Sequence, residues 1–282
     1  MKKAGIILFL IFLGKAGLSQ KSFNYPGTNK GRFFVSWGWN RAAYTKSNIC
    51  FKGSDYDFEL RKVVAHDKPS DVSFHNYLQI DRITIPQTNF KIGYFVRKNL
   101  AISVGFDHMK YVMDNNQTVF MKGVITQQGQ YEGTFNAEKK IAEDFLTYEH
   151  TDGLNYINAE VEKYFNLYHS LNNKLVVDVL LGGGAGVMMP RTDIKLMNYA
   201  RSDEFHVSGF GLSAKAGIQA TILKHLLIRF QNKNGYINMP DINLHKKGIP
   251  GRGKQSFFFT TLEGTIGYSF SFNEKSKKHK SK

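Results

Sequence analysis

The stretch FFFTTLEGTIGYSFSF, residues 257–272, decides the fold. From Phe258 every second residue is apolar, aromatic or small: Phe258, Thr260, Leu262, Gly264, Ile266, Tyr268 and Phe270. Between them lie Phe259, Thr261, Glu263, Thr265, Gly267 and Ser269, mostly small or polar. A period of two over this length is a strand, because a helix would not set Leu262 and Ile266 apart from Glu263. An average soluble strand has roughly five or six residues, whereas a tilted strand needs about 9–11 to cross a bilayer. This run has the length to cross, and it ends in aromatics, as a membrane-interface girdle would. It reads as a closing transmembrane β-strand.

Working outward, the same period recurs. Phe33, Val35, Trp37 and Trp39 alternate with Arg32, Phe34, Ser36, Gly38 and Asn40 in a first strand over 32–41. A second strand over 88–96 and a third from Leu100 flank the tight turn Arg97-Lys98-Asn99, a strong hairpin signal. Further strands cover 154–165, 175–189, 206–222 and a run from Leu226, with turns at 171–174 and 223–225. Long polar excursions over 42–87, 114–153, 190–205 and 239–254 separate them on the other side. The first carries a strand-like piece over 56–64 and reads as a loop with a projecting hairpin. In the second, residues 137–146 suit a short helix or strand extensions equally. Eight strands with short and long connections in strict alternation predict an all-β, eight-stranded antiparallel up-and-down transmembrane barrel with long extracellular loops. Closure is required in hydrocarbon, where an open edge leaves backbone groups unsatisfied. A soluble lipocalin-like barrel would instead bury its apolar face.

The chain begins MKKAGIILFLIFLGKAGLSQ, a basic start, an apolar core and a small-residue cleavage site before Gln20, the pattern of a secretory signal peptide over 1–19. A periplasmic segment is expected over 20–31, the barrel over 32–272, and a Lys-rich tail over 273–282. The sole cysteine, Cys50, excludes an intramolecular disulfide and lies too far along to carry a lipid anchor. Gly 26, Tyr 14 and Phe 23 against Pro 6 fit many strands with small residues facing a tight interior. The formal charge of +15 is concentrated partly in the signal and tail, and no nucleic-acid motif or basic helix accompanies it. Nucleic acid is therefore not expected as a partner. Lipid phosphate of the outer leaflet, as in lipopolysaccharide, suits the surplus basic charge better, and an extracellular ligand would sit at the loops.

The inward positions carry Arg32, Lys91, Asp107, Glu160, Glu162, Asp178, Lys215, Arg229, Lys233 and Glu263. An eight-stranded barrel is just wide enough to be filled by side chains. Mixed charges there point to a plug of buried ion pairs, since buried charges are paired or neutralised. A small gated polar pore is the sharper alternative. The run GGGAG at 182–186 lacks the Lys-Ser/Thr pair and the helix of a phosphate-binding loop, and glycines packed inside a narrow barrel explain it better. No cofactor is expected. His66 with Asp67, His108, His150 with Asp152, and His206 match no metal-ligand spacing, so no metal site is assigned.

The segments IPQTNFKIGYF, YEHTDGLNYINAE, LGGGAGVMMPRTD, DEFHVSGFGLSAKAG and NGYINMP resemble an uncharacterised group of outer-membrane β-barrel proteins from the Bacteroidota. The resemblance spans nearly all of the mature chain and implies a barrel in the outer membrane. It carries no activity. A second resemblance is to lipid A deacylases, whose catalytic His and Ser lie two apart on one strand. Here those positions are His206 and Ser208, on the lipid-facing side with Phe210 by parity. The family's Asn is replaced by Gly209, Ala220 stands where its acid is expected, and Glu204 is the nearby substitute. Both residues thus remain candidates for a hydrolase, and the outer membrane interface is the plainer role for the histidine.

Overall fold

The computed structural model describes residues 29–70 and 87–272. The expected signal, most of the periplasmic segment, residues 71–86 and the Lys-rich tail lie outside them. Fourteen strands are present among the described residues: β1 Phe33–Tyr44, β2 Ser47–Gly53, β3 Tyr56–Val63, β4 Ala65–His66, β5 Thr88–Arg97, β6 Leu100–Met113 and β7 Thr118–Ile125. Then follow β8 Gly133–Lys140, β9 Leu146–His169, β10 Leu175–Met188, β11 Asp193–Leu196, β12 Gly209–Ile222, β13 Leu226–Asn243 and β14 Gly251–Phe270.

Eight of these pair in the order β1-β5-β6-β9-β10-β12-β13-β14, all antiparallel, and β14 pairs back onto β1 from Phe33↔Phe270 to Tyr44↔Phe259. The pairings therefore close a ring. Followed strand to strand, Trp37 leads through Phe90, Phe106, Ile157, Val187, Phe210 and Asn238 to Ser256, ten residues from the Ile266 that Trp37 meets directly. Ten residues at ~3.3 Å, spread over eight interstrand gaps of ~4.8 Å, set a strand tilt of about 40°. Short turns join one end of the ring. Leu223 and Lys224 both take positive φ, 51° and 69°, in the two-residue turn closed by His225 N–H to the Ile222 carbonyl at 3.0 Å.

The other end carries more structure than the expected loops. β2, β3, β7 and β8 extend as a sheet from the first residues of β14, where Gly251–Ser256 pairs with Gly53–Asn48. β11 pairs the start of β9, and β4 pairs the end of β6. The strand-like piece expected at 56–64 is β3, and of the two readings left open for 137–146, residues 137–140 take the strand one. Two expectations are corrected: the excursion at 42–87 also contains β2 and β4, and the segment 239–254 shrinks to a connection at 244–250. Strand six starts at Gly209, because before it the backbone bonds irregularly, Ser208 N–H to the Met188 carbonyl and His206 N–H to the Pro190 carbonyl.

No outward apolar stripe marks these pieces, because the polarity of the wall reverses along each strand. On the inward face of β6, Ala101, Ser103, Gly105 and Asp107 give way to Met109, Tyr111 and Met113. On β9, read upward, Glu162, Glu160 and Asn158 give way to Tyr156, Leu154, Tyr148 and Leu146. On β14 the inward Glu263 and Thr261 give way to Phe259 and Phe257. The outward face does the opposite: Ile266, Leu262 and Phe258 are followed by Ser256, Lys254 and Arg252. Leu262 is 66% exposed and its neighbour Glu263 only 4%. From Phe258 to Phe270 the outward apolar run is about 30 Å tall, at ~3.3 Å per residue and a tilt of about 40°. The large core, with Phe51, Phe58, Tyr111, Tyr148, Leu196 and Phe257, lies in the upper part. A small second core, Phe34, Phe95, Ala101, Tyr164, Leu180 and Leu227, fills the ring at the turn end.

Candidate functional site

Between the two cores the ring holds a charged layer. β9 supplies Glu160 and Glu162, β5 Lys91, β12 Lys215, β13 Arg229 and Lys233, β6 Asp107 and β14 Glu263. Strand parity places them inward, and the glycines of β10 give them room. A Cβ on Gly184 would stand 2.7 Å from Glu160 Cγ, and one on Gly182 would stand 3.0 Å from Lys215 Cε. The glycine run is thus the space that the long side chains opposite it occupy.

Lys91 and Lys215 each bridge Glu160 and Glu162; the Lys91–Glu162 distance is 3.1 Å. Arg229 Nη1 donates to Glu162 Oε1 at 3.0 Å, while its Nη2 reaches Tyr164 Oη at 2.7 Å and Gln219 Oε1 at 2.7 Å. The Tyr164 hydroxyl in turn donates to Glu162. Lys233 reaches Asp107 at 2.5 Å, Glu160 at 3.0 Å and Glu263 at 3.5 Å. Asn89 and Asn158 donate to Asp107 at 2.5 and 2.9 Å, and Gln231 and Thr261 donate to Glu263 at 2.5 and 2.9 Å. Four cations (Lys91, Lys215, Arg229, Lys233) face four carboxylates (Asp107, Glu160, Glu162, Glu263), so the layer is formally neutral. Within it lies a cavity of ≈ 10 Å³ lined by Ser36, Asn89, Lys91, Arg229, Gln231, Glu263 and Thr265. That holds about one water molecule.

Of the ten inward charges expected, these eight meet. Arg32 and Asp178 lie nearer the turn end: Arg32 bonds Ser269 Oγ at 3.1 Å and the Lys224 carbonyl at 2.9 Å, and Asp178 accepts from Asn166 at 3.1 Å. Sequence reasoning passed over Tyr164, although it shares the parity of Asn158, Glu160 and Glu162 on one strand.

His206 and Ser208 are placed differently from the expectation. Ser208 is buried, 1% exposed, off the outward side expected for it, and its Oγ donates to the His206 carbonyl at 3.4 Å. The His206 ring instead has Nε2 at 3.0 Å from Asp241 Oδ2, and Asp241 Oδ1 meets Arg252 Nε at 3.1 Å. The acid beside the imidazole is therefore Asp241, thirty-five residues along the chain, and not Glu204. The remaining histidines disperse. His66 meets Asp114 at 2.5 Å and His108 meets Asn155 at 2.8 Å.

His150 belongs to a buried polar chain inside the upper core. Tyr148 Oη donates to Gln255 Oε1 at 2.8 Å, and Gln255 Nε2 donates to Tyr111 Oη at 2.7 Å and Ser47 Oγ at 2.9 Å. His150 Nε2 lies 3.2 Å from Tyr148 Oη, and its Nδ1 lies 3.0 Å from Thr192 Oγ1. Because the Tyr148 proton is committed to Gln255, the histidine donates through Nε2 and accepts at Nδ1, the neutral form. Burial pushes its pKa down to about 3 and pushes that of Tyr111 up to about 12. The chain ties β2, β6, β9 and β14 together at the top of the ring.

No family model matches the chain, and no curated protein matches it. Solved structures do. Neisserial surface protein A aligns over 86% of this chain and 100% of its own, at 12% identity and a TM-score of 0.39. The outer membrane protein OprG from Pseudomonas aeruginosa aligns over 87% and 98%, at 11% identity and a TM-score of 0.39. Ail, the attachment invasion locus protein of Yersinia pestis, aligns over 86% and 99%, at 14% identity and a TM-score of 0.32. What this chain is similar to is a set of surface and outer-membrane β-proteins, at low identity.

Proposed function

We propose that the chain spans the bacterial outer membrane as a closed eight-stranded barrel, non-conducting, with its upper module facing outside as a contact surface. The polarity reversal carries this reading. A strand whose inward face turns from charged to apolar at the level where its outward face turns from apolar to polar has two different solvents outside it. Water alone would leave the exposed belt of Phe90, Ile102, Val104, Phe230 and Leu262 unexplained, a continuous apolar surface far beyond the patches of soluble monomers. The belt's height of about 30 Å fits a bilayer's hydrocarbon core. The filled interior supports a structural or binding role over a pore. Above the belt, Lys110 and Lys254 stand on the outward face, where they suit the phosphates of lipopolysaccharide.

The test is reconstitution. The protein is expected in the carbonate-washed outer-membrane fraction, migrating differently on gels before and after boiling, and giving no stepwise conductance in planar bilayers. A soluble periplasmic monomer refutes the membrane reading. Conductance steps that change with Glu160 or Arg229 replacement would establish the pore instead.

A further inference from the structure

The belt is not uniform. On the wall of β5, β6 and β9 the outward residues Phe90, Ile92, Ile102, Val104 and Val161 are all apolar. On the wall of β12, β13 and β14, Asn232 and Asn234 take outward positions on β13. They pair with Ala216 and Ala214 on one side and with Leu262 and Thr260 on the other. Asn234 Nδ2 donates to Asn232 Oδ1 at 2.5 Å, and Asn232 Nδ2 donates to Thr260 Oγ1 and the Thr261 carbonyl, both at 3.0 Å. The ladder consumes the amide hydrogens of Asn232 and ends on the exposed Asn234, whose Oδ1 accepts from no donor among the described residues.

The wall around the ladder is recessed. Ala214, Ala216 and Gly264 line two neighbouring depressions of ≈ 620 and ≈ 470 Å³, and Phe230, 70% exposed, Leu262 and Phe258 stand up from their rims. On the membrane reading proposed above, on which this inference rests, Asn234 lies inside the apolar belt, level in register with Thr260 and therefore below Phe258. Acyl chains offer an amide no hydrogen bond, so polar groups in a membrane turn toward protein. A primary amide carries both donor and acceptor and is its own complement.

We propose that this wall is the interface of a homodimer in the membrane plane. A two-fold axis beside Asn234 brings identical amides together, donor to acceptor and acceptor to donor. The recess floored by small residues lets the two walls approach closely, as small residues do between membrane segments, and Phe230 and Leu262 fill the opposing depressions.

The native thiol of Cys50, exposed on β2, supplies the probe. Full-length protein labelled there with one dye and reconstituted at low density in vesicles is expected to bleach in two steps. Asn232→Leu with Asn234→Leu should reduce the dimer association constant by about tenfold or more, the effect of losing two reciprocal polar bonds. Ile92→Ala, on the opposite wall, should leave it unchanged. Single-step bleaching of the parent protein, with its gel shift on boiling intact, overturns the dimer and leaves the membrane reading standing. Two-step bleaching that survives the double leucine variant also overturns it, since another face must then associate. Loss of the gel shift in the parent protein removes the membrane reading and the dimer with it.

Discussion

Replacing Glu162 by Gln keeps the shape of the side chain and removes one charge from the sealed layer. Glu162 is fully buried and receives Lys91 at 3.1 Å, Arg229 at 3.0 Å, Lys215 and the hydroxyl of Tyr164. Without it, four cations face three carboxylates, with room for about one water molecule beside the excess charge. Removing one partner of a buried pair costs about 3–5 kcal/mol, because the other charge is left uncompensated. The exposed pair Lys52–Asp57, at 3.2 Å on the upper module, sets the scale of the opposite case: its loss should cost at most about 1 kcal/mol. Adding Lys215→Gln to Glu162→Gln restores neutrality, and the double variant should recover about 0.5–3 kcal/mol relative to the sum of the singles. Equilibrium urea unfolding of lipid-reconstituted protein, followed by tryptophan fluorescence and gel migration, measures all three. A Glu162→Gln variant within about 1 kcal/mol of the parent would refute the sealed, neutral layer, as would strict additivity in the double variant.

Two further outcomes concern the upper module. His150, held neutral with its pKa down at about 3 against an unfolded value of about 6.5, makes the native state bind fewer protons than the unfolded one between those values. The module's stability is therefore complete above about pH 6.5 and falls as pH drops toward 3; protease resistance of the module measured across that range should decline, and His150→Gln should flatten the decline. Cys50 should react with a membrane-impermeant maleimide on intact cells; labelling only after the outer membrane is broken would invert the orientation.

The ring strands were legible because outward apolar stripes leave a period of two: Phe90, Ile92 and Tyr94, or Leu262 and Ile266, name their own side. The charged layer followed from parity, since Glu160, Glu162 and Lys215 fall opposite those stripes. The upper strands were harder. In β2 the inward residues are Ile49 and Phe51 and the outward ones Asn48, Cys50 and Lys52, the pattern of an ordinary soluble sheet. A search for apolar residues facing outward passes over it. The partnership of His206 with Asp241 was invisible for another reason: the two are brought together by the end of β13 beside an irregular segment, and no local spacing encodes it. Nor does spacing reveal the Ser47–Tyr111–Gln255–Tyr148–His150 chain, whose members come from four strands.

The charged layer has a consequence for how the sheet finds its alignment. A neighbouring strand that slides by two residues keeps every inward residue inward and every outward one outward, so the alternation alone does not distinguish the slipped ring from the native one. The slide changes the register with both neighbours in opposite senses, so it leaves the ten-residue offset at closure and the strand count untouched. What it would not preserve is height: Lys215 would leave the level of Glu160 and Glu162, and Lys233 would leave Asp107, stranding charges where nothing solvates them. Alternation enforces sidedness alone, and the opposed charges act as a vernier that selects one vertical setting among those it permits.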